Sequence, residues 1–122
     1  MTMTPTSDAA THSLVVNGRV VATDTEGYLV DRTCWSEAFA RAQAARERIV
    51  LTPEHWEVIR FLREHFERHG VQAQVRVMIR HFRQAWGPER GNNHYLHDLF
   101  PAGGPQKQGN RLAGLLKTKG EH

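Results

Sequence analysis

Cysteine is almost absent from this chain: of its 122 residues, only Cys34 carries a thiol. A single cysteine excludes a disulfide within the chain, a CxxC redox pair and a zinc site built from cysteines. No apolar run approaches the ~18–20 residues that a membrane-spanning helix needs. The Thr-rich residues 1–12 also lack the basic and apolar regions of a secretory signal. We therefore expect a cytoplasmic protein that does not use a membrane, and nothing in the composition indicates a cofactor.

The residues that are present fit one small globular domain, for which ~100–200 residues is the usual range. Hydrophobic residues make up 39% of the chain and charged residues 24%. The charge is unevenly divided, because residues 1–70 hold 8 Lys/Arg and 10 Asp/Glu, whereas residues 71–122 hold 8 and 3. The second half therefore carries a balance of +5. This favours an anionic partner, either nucleic acid or an acidic protein surface, and a solvated basic face without a partner is an equal alternative.

The N-terminal part of the domain is predicted to be a β-hairpin. Asn17-Gly18 stands between two β-branched runs, and this dipeptide is typical of a type I′ turn. We expect the hairpin to follow a disordered leader of residues 1–12. A hairpin of two strands is too small to be stable alone, so a helix should pack on it.

Helical patterns occupy the remainder of the chain. Thr33 is expected to cap the first helix, and Thr52-Pro53 to begin a second helix that ends at Gly70. Residues 102–105 (AGGP) have the composition of a hinge-like loop. The helices are predicted over about 33–48, 53–69, 72–86, 92–99 and 107–115.

One face of the predicted third helix is basic, because Arg76, Arg80 and Arg83 are spaced i, i+4, i+7. The second and third helices are joined by a short turn that contains glycine, which is the outline of a helix-turn-helix. In a DNA-binding protein these arginines would contact phosphates, with Arg90 nearby. An exposed helix face must carry something polar, however, so a solvated face is the simpler interpretation.

Two further features could carry chemistry. Cys34 lies near the predicted start of the first helix, where the helix dipole favours a thiolate. This makes it a weak candidate nucleophile, since no histidine–acid pair can be assigned to it. His65 and His69 are four residues apart, but Glu67 does not complete an H-E-x-x-H motif, and two histidines alone are an incomplete site. We predict no metal site.

An ordered series of short motifs runs through the chain from residue 27 onward. The runs are 27–31 (GYLVD), 51–59 (LTPEHWEVI), 75–76 (VR), 87–92 (GPERGN), 95–96 (YL), 99–101 (LFP), 104–105 (GP), 107–108 (KQ) and 113–115 (AGL). In these motifs the chain resembles the DsrC/TusE family of small sulfur-trafficking proteins over about residues 13–122. The resemblance implies an α+β, mainly α fold. An N-terminal β-hairpin would pack on an orthogonal helical bundle with a helix-turn-helix-like element and a mobile C-terminal arm.

The same resemblance suggests how the chain is organised. Residues 1–12 would be the disordered leader and residues 13–105 the DsrC/TusE-like domain. Residues 106–122 would form a C-terminal helix and a flexible arm of that domain.

The resemblance also implies a function that depends on the arm. Members that carry sulfur hold a persulfide on a penultimate cysteine and pass it to partner proteins, toward tRNA thiolation or dissimilatory sulfur metabolism. The DsrC type adds a second cysteine earlier in the arm. Counted from Ala113-Gly114-Leu115, these two positions hold Glu121 and Asn110. Neither a carboxylate nor an amide can replace a thiolate, so no catalytic residue is predicted in the arm.

Three functions remain open. We favour a non-catalytic regulatory or partner-binding protein of a sulfur-relay or sulfur-oxidation pathway. The alternatives are a helix-turn-helix DNA-binding regulator of sulfur genes, and a component of a sulfurtransferase relay that acts through Cys34 or as a structural subunit. Sulfur-pathway proteins are the expected partners, with DNA as a second candidate. The candidate binding residues are basic: Arg76, Arg80, Arg83, Arg90, Lys107 and Arg111.

The DNA-binding hypothesis predicts a salt dependence. Each phosphate contact contributes nearly one unit to the slope of log affinity against log salt concentration. Replacing Arg76, Arg80 or Arg83 by alanine should each reduce that slope by about one, as measured by fluorescence anisotropy with a labelled duplex. An unchanged slope in all three variants would refute the hypothesis.

Overall fold

In a computed structural model, which describes residues 12–116, a two-stranded hairpin is followed by helices. The prediction of a mainly helical α+β fold is confirmed. His12 belongs to the first strand, so the predicted leader is one residue too long, and residues 1–11 lie outside the described part. The elements are β1 (His12–Val16), β2 (Arg19–Thr23), a 3₁₀ turn (Arg32–Cys34), α1 (Glu37–Arg46), α2 (Pro53–His69), α3 (Val75–Trp86), α4 (Asn93–Leu99) and α5 (Gly104–Leu112).

The hairpin turns where the sequence predicted. Asn17 and Gly18 both have positive φ, 51° and 80°, as a type I′ turn requires. The strands pair antiparallel in the register set by this turn. Val16, on the inner face, joins a small core cluster with Leu29 and with Phe39 of α1. The hairpin is therefore held by the helix packed against it, as expected.

The first α-helix begins later than predicted. The backbone of Trp35 is extended (φ −67°, ψ 143°), so no helix can run from Thr33 through it. The Ser36 side chain accepts a hydrogen bond from the Phe39 N–H at 3.1 Å and caps α1. The prediction that Cys34 lies at the start of this helix is wrong, because Cys34 belongs to the separate 3₁₀ turn.

Helix α2 has the ends that its sequence predicts and lies at the centre of the core. Thr52 caps its first turn, and Gly70 ends it with φ 74°. Its residues Val58, Ile59 and Leu62 are fully buried among apolar side chains from the other four helices. No helix within residues 12–116 is both long and apolar enough to span a bilayer.

Helices α3 and α4 differ little from expectation. Helix α3 begins at Val75 rather than residue 72, because the preceding Ala73 is buried in a non-helical segment and its carbonyl accepts from Gln106 Nε2 at 3.1 Å. Asn92 caps α4, with its side chain accepting from the Tyr95 N–H at 2.8 Å.

Helix α5 departs most from the prediction. The expected hinge loop over 102–105 is shorter, because Gly104 and Pro105 are buried in the first turn of α5. A boundary between residues 105 and 106 therefore falls inside this helix. Gly109 lies so close to α2 that a Cβ there would be 2.8 Å from the Leu62 side chain. Helix α5 is thus a core helix, and the expected flexible arm beyond residue 116 lies outside the described residues.

A buried ion pair joins α5 to the end of α1. The side chains of Arg111 and Glu47 are only 7% and 11% exposed, and Arg111 Nε donates to Glu47 Oε2 at 2.8 Å. Gln108 Nε2 donates to the same carboxylate at 2.6 Å, and Arg111 also donates to the Ala102 carbonyl. Burial disfavours the charged guanidinium, but the hydrogen bonds and charge of Glu47 outweigh it and raise the pKa of Arg111.

The Glu47→Ala variant should be strongly destabilised, by about 3–5 kcal/mol, because it leaves the buried Arg111 charge without a partner. Urea unfolding followed by far-UV circular dichroism measures the change. The matched control is Glu37→Ala, since Glu37 and Arg41 are more than half exposed and 3.8 Å apart. The control should lose no more than about 1 kcal/mol. Equal small losses in both variants would show that the buried pair contributes no more than an exposed one.

Candidate functional site

The C-terminal end of α5 is held by side chains from three other parts of the chain. We call residues 112–116 the arm root. The last carbonyls of a helix lack partners within the helix, so these bonds stabilise its end and set where the chain leaves after Leu116. Trp35 Nε1 donates to the Leu112 carbonyl (2.8 Å), Arg63 Nη1 to the Ala113 carbonyl (2.9 Å) and Gln72 Nε2 to the Leu116 carbonyl (2.8 Å).

An open groove of about 530 Å³ lies beside the arm root, between the 3₁₀ turn and α2. We call it the arm-root groove. The Arg63 guanidinium carbon lies 3.8 Å from the centre of the Trp35 ring, and that of Arg32 lies 4.6 Å from the centre of the Phe66 ring. Such cation–π contacts hold each guanidinium over an aromatic face. The lining residues are Arg32, Thr33, Trp35, Glu37, Arg60, Arg63, Glu64, Phe66, Glu67, Gly114 and Leu115.

Burial lowers the pKa of Arg63 in this groove. The nearby carboxylate of Glu67 opposes this effect, whereas the charge of Arg32 adds to it. The groove therefore contains guanidinium groups over aromatic rings, with the carboxylate of Glu67 close to one of them.

The structure places the three predicted arginines of α3 together on the surface. Arg76, Arg80 and Arg83 are all exposed. Within residues 12–116, none of them has a carboxylate at ion-pairing distance. Their charges are available on one helix face, although nothing in the geometry identifies what binds there.

Arg90 differs from the three arginines of α3, because it has an acidic partner. It forms an ion pair with Glu54 at the start of α2, and Glu54 also accepts from the Tyr95 hydroxyl at 2.6 Å. The hydrogen bond to Glu54, followed by burial, raises the pKa of Tyr95. Arg90 thus links the segment before α4 to α2, and Glu54 balances its charge.

The two basic residues of α5, Lys107 and Arg111, have different surroundings. Arg111 was expected to contact a partner, but it is buried and its donors are used by Glu47 and Ala102. The charge of Arg111 is therefore not available to a partner at the surface. Lys107 is half-buried, and its backbone carbonyl accepts from the Tyr28 hydroxyl at 3.3 Å.

The positions of the expected arm cysteines have different surroundings. Asn110 is fully buried in α5, and neither its amide oxygen nor its amide nitrogen has a hydrogen-bond partner among residues 12–116. Glu121 lies outside the described residues. Cys34 is exposed in the 3₁₀ turn and does not line the arm-root groove. Within residues 12–116 no group of three or more His, Cys, Asp or Glu side chains is arranged to hold a metal ion.

Sequence reasoning missed the three residues that hold the arm root. Trp35 reads as an ordinary core aromatic, and Arg63 as part of the charged face of α2. Their partners are backbone carbonyls, which have no signature in a sequence. The AGL run at 113–115 was the one available signal, since it pointed to this segment without identifying its contacts.

Comparisons with known proteins agree on one family. The sequence profile described as "DsrC like protein" matches residues 15–120. The sulfurtransferase TusE of Pectobacterium atrosepticum is 45% identical over 104 residues, covering 85% of this chain and 94% of its own. The TusE of Salmonella choleraesuis is 46% identical over the same shares.

Solved structures give the same result. DsrC of Allochromatium vinosum superposes with a TM-score of 0.78 at 41% identity, covering 88% of this chain and 96% of its own. The oxidized γ-subunit of the dissimilatory sulfite reductase (DsrC) from Archaeoglobus fulgidus gives 0.81 at 38% identity, with coverage of 89% and 98%.

The Asn110→Thr variant should be more stable than the wild type by about 1 kcal/mol. An unpaired buried amide costs about 1–3 kcal/mol, whereas a threonine hydroxyl of similar size can donate to the carbonyl one turn earlier in the helix. Urea unfolding measures the difference. The exposed Asn93 provides the control, because Asn93→Thr should change stability by less than about 0.5 kcal/mol. A destabilised Asn110→Thr protein would show that the amide is satisfied in solution.

Proposed function

The chain belongs to the DsrC family, and from this premise we propose that it is a partner-binding protein of a sulfur relay, without a persulfide-carrying thiol of its own. The relatives at 45–46% identity are sulfurtransferases, and the match extends over 85% of this chain. We place it with other sulfur-pathway proteins in the cytoplasm.

The glutamate at position 121 carries the proposal, because the family resemblance places the persulfide-holding cysteine there. A persulfide carrier needs a thiolate that can leave its own protein and attack a sulfur atom on another. Position 110 is a buried asparagine in a core helix, and position 121 is a glutamate. Cys34 is exposed, but it lies outside the groove at the arm root. This chemistry supports a binding role rather than sulfur transfer.

The basic face of α3 is the surface that we propose for the partner. Arg76, Arg80 and Arg83 present three charges without described acidic neighbours, which suits an acidic protein surface. The loop before α3 connects this face to the arm root, because Gln72 binds the Leu116 carbonyl. A partner that covers the start of α3 would therefore lie close to the place where the C-terminal segment leaves the domain.

DNA is the second candidate partner. The observation that favours it is the succession of α2, residues 70–74 and α3, with the exposed arginines on the second of these helices. The same arginines suit an acidic protein equally well. We rank the protein partner first, because the relatives of this chain are sulfurtransferases.

A pull-down from native lysate with the tagged full chain should recover sulfur-relay proteins after nuclease treatment. Binding measured with the purified partner should be about tenfold weaker for Arg80→Glu, because charge reversal costs about 1.4 kcal/mol. Arg19→Glu is the control for charge, since Arg19 is exposed on the distant hairpin. Cys34→Ser should bind like the wild type.

Two results would contradict the proposal. Loss of the partners on nuclease treatment, with DNA fragments recovered from the untreated half, would put the DNA-binding function first. Weaker sulfur transfer to the partner in the Cys34→Ser variant would show that the thiol takes part in the relay.

A further inference from the structure

Two arginine side chains, Arg32 and Arg63, lie over aromatic rings in the arm-root groove. Within residues 12–116, neither Arg32 nor Arg63 has a carboxylate at ion-pairing distance. Arg63 uses one of its five N–H groups on the Ala113 carbonyl, and no other acceptor in the described part bonds its side chain. The Arg32 side chain makes no hydrogen bond to a described acceptor. Several donors thus remain in the groove for a ligand.

The aromatic rings beneath these side chains orient the donors. A guanidinium stacked on a ring keeps its N–H groups in the plane parallel to that ring, so they point sideways rather than into the apolar surface. Arg63 lies on Trp35 in this way, and Arg32 lies on Phe66. Both side chains have lost much of their freedom before a ligand arrives, which lowers the entropy cost of binding.

The acidic residues of the groove do not cancel this effect. Glu37, Glu64 and Glu67 line it and equal the three arginines in number, but all three are exposed to solvent. Water and salt screen charges at such positions. Arg63 is half-buried, whereas the other charged lining residues, Arg32 included, are exposed. The inner part of the groove is therefore positive, whereas its rim is mixed.

We propose that Arg32 and Arg63 together bind an oxyanion group in the arm-root groove. Two guanidinium forks match the oxygen atoms of a small oxyanion or a carboxylate through paired hydrogen bonds. The groove volume, about 530 Å³, is within the ~300–1,000 Å³ range of small-ligand sites. The choice of free ligand rests on the proposed function. For a protein of a sulfur relay, we expect a sulfur oxyanion such as sulfite.

A carboxylate of the chain itself is a second candidate ligand for the two arginines. Glu121 is five residues beyond Leu116, and an extended chain spans up to ~3.3–3.6 Å per residue. A carboxylate at that position is within reach of the groove, because Leu115 of the arm root lines it. The two sources differ in a measurable way, since a carboxylate from the same chain would compete with an added oxyanion.

Isothermal titration calorimetry of the full chain with sodium sulfite under nitrogen tests the site, with sodium chloride at equal ionic strength as the blank. We expect saturable binding by the wild type and about tenfold weaker binding by Arg32→Gln, since the variant loses a charged hydrogen-bond donor. The Arg32 side chain is exposed and makes no described hydrogen bond, so this variant should fold normally. Arg19→Gln is the matched control and should bind like the wild type, because Arg19 is exposed on the hairpin and does not line the groove.

The Glu121→Gln variant separates the two sources. Unchanged sulfite affinity supports a free oxyanion as the ligand. A gain of about tenfold or more, reversed by Arg32→Gln, supports occupation of the same site by the carboxylate of this chain. Sodium phosphate, titrated in parallel, tests the choice of sulfur: equal affinity for phosphate would overturn the assignment to sulfite.

Absence of Arg32-dependent binding in both the wild type and Glu121→Gln would overturn the site. The proposed function is tested separately, because binding of the relay partner is measured without added oxyanion and with a variant on α3. A protein that binds its partner but no oxyanion would retain the function and lose only the site.

Discussion

The ion pair between Glu47 and Arg111 is the contact on which the position of α5 depends. Helix α5 is unusual for a core helix, because its buried residues include Gln108 and Asn110 as well as a charged arginine. Burial of such groups is unfavourable unless they find partners. One carboxylate at the end of α1 satisfies both Arg111 and Gln108, so a single residue compensates much of the polarity that α5 brings into the core.

The functional surfaces follow from this fixed helix. Once α5 is seated against α2, its last carbonyls lie beside Trp35 and Arg63, whose donors hold the arm root. The bond from Gln72 then links the arm root to the loop that precedes α3. The groove and the basic helix face are consequently connected through the hydrogen bonds of the arm root.

The sequence predicted what depends on local chemistry. The Asn17-Gly18 turn, the start of α2 at Thr52 and its end at Gly70 each rest on one or two residues and their backbone preferences. The burial of α5 could not be predicted in this way, because Glu47 and Arg111 are 64 positions apart. Gly103 and Gly104 predicted a hinge because glycine favours positive φ, and both residues do have positive φ. The packing of the helix that follows could not be predicted from these two residues.

Under the proposed function, the residues at positions 110 and 121 affect binding and chemistry very differently. Sulfur transfer depends on one atom, and replacing that atom removes the reaction completely. Binding depends on charge and shape distributed over many residues, and here those residues are held by contacts that involve no thiol. Asn110 illustrates this difference between chemistry and binding. Its side-chain amide is buried and has no hydrogen-bond partner within residues 12–116, while Trp35 and Arg63 hold the arm root. The binding surface that we propose on α3 therefore does not depend on a thiol at position 110 or 121.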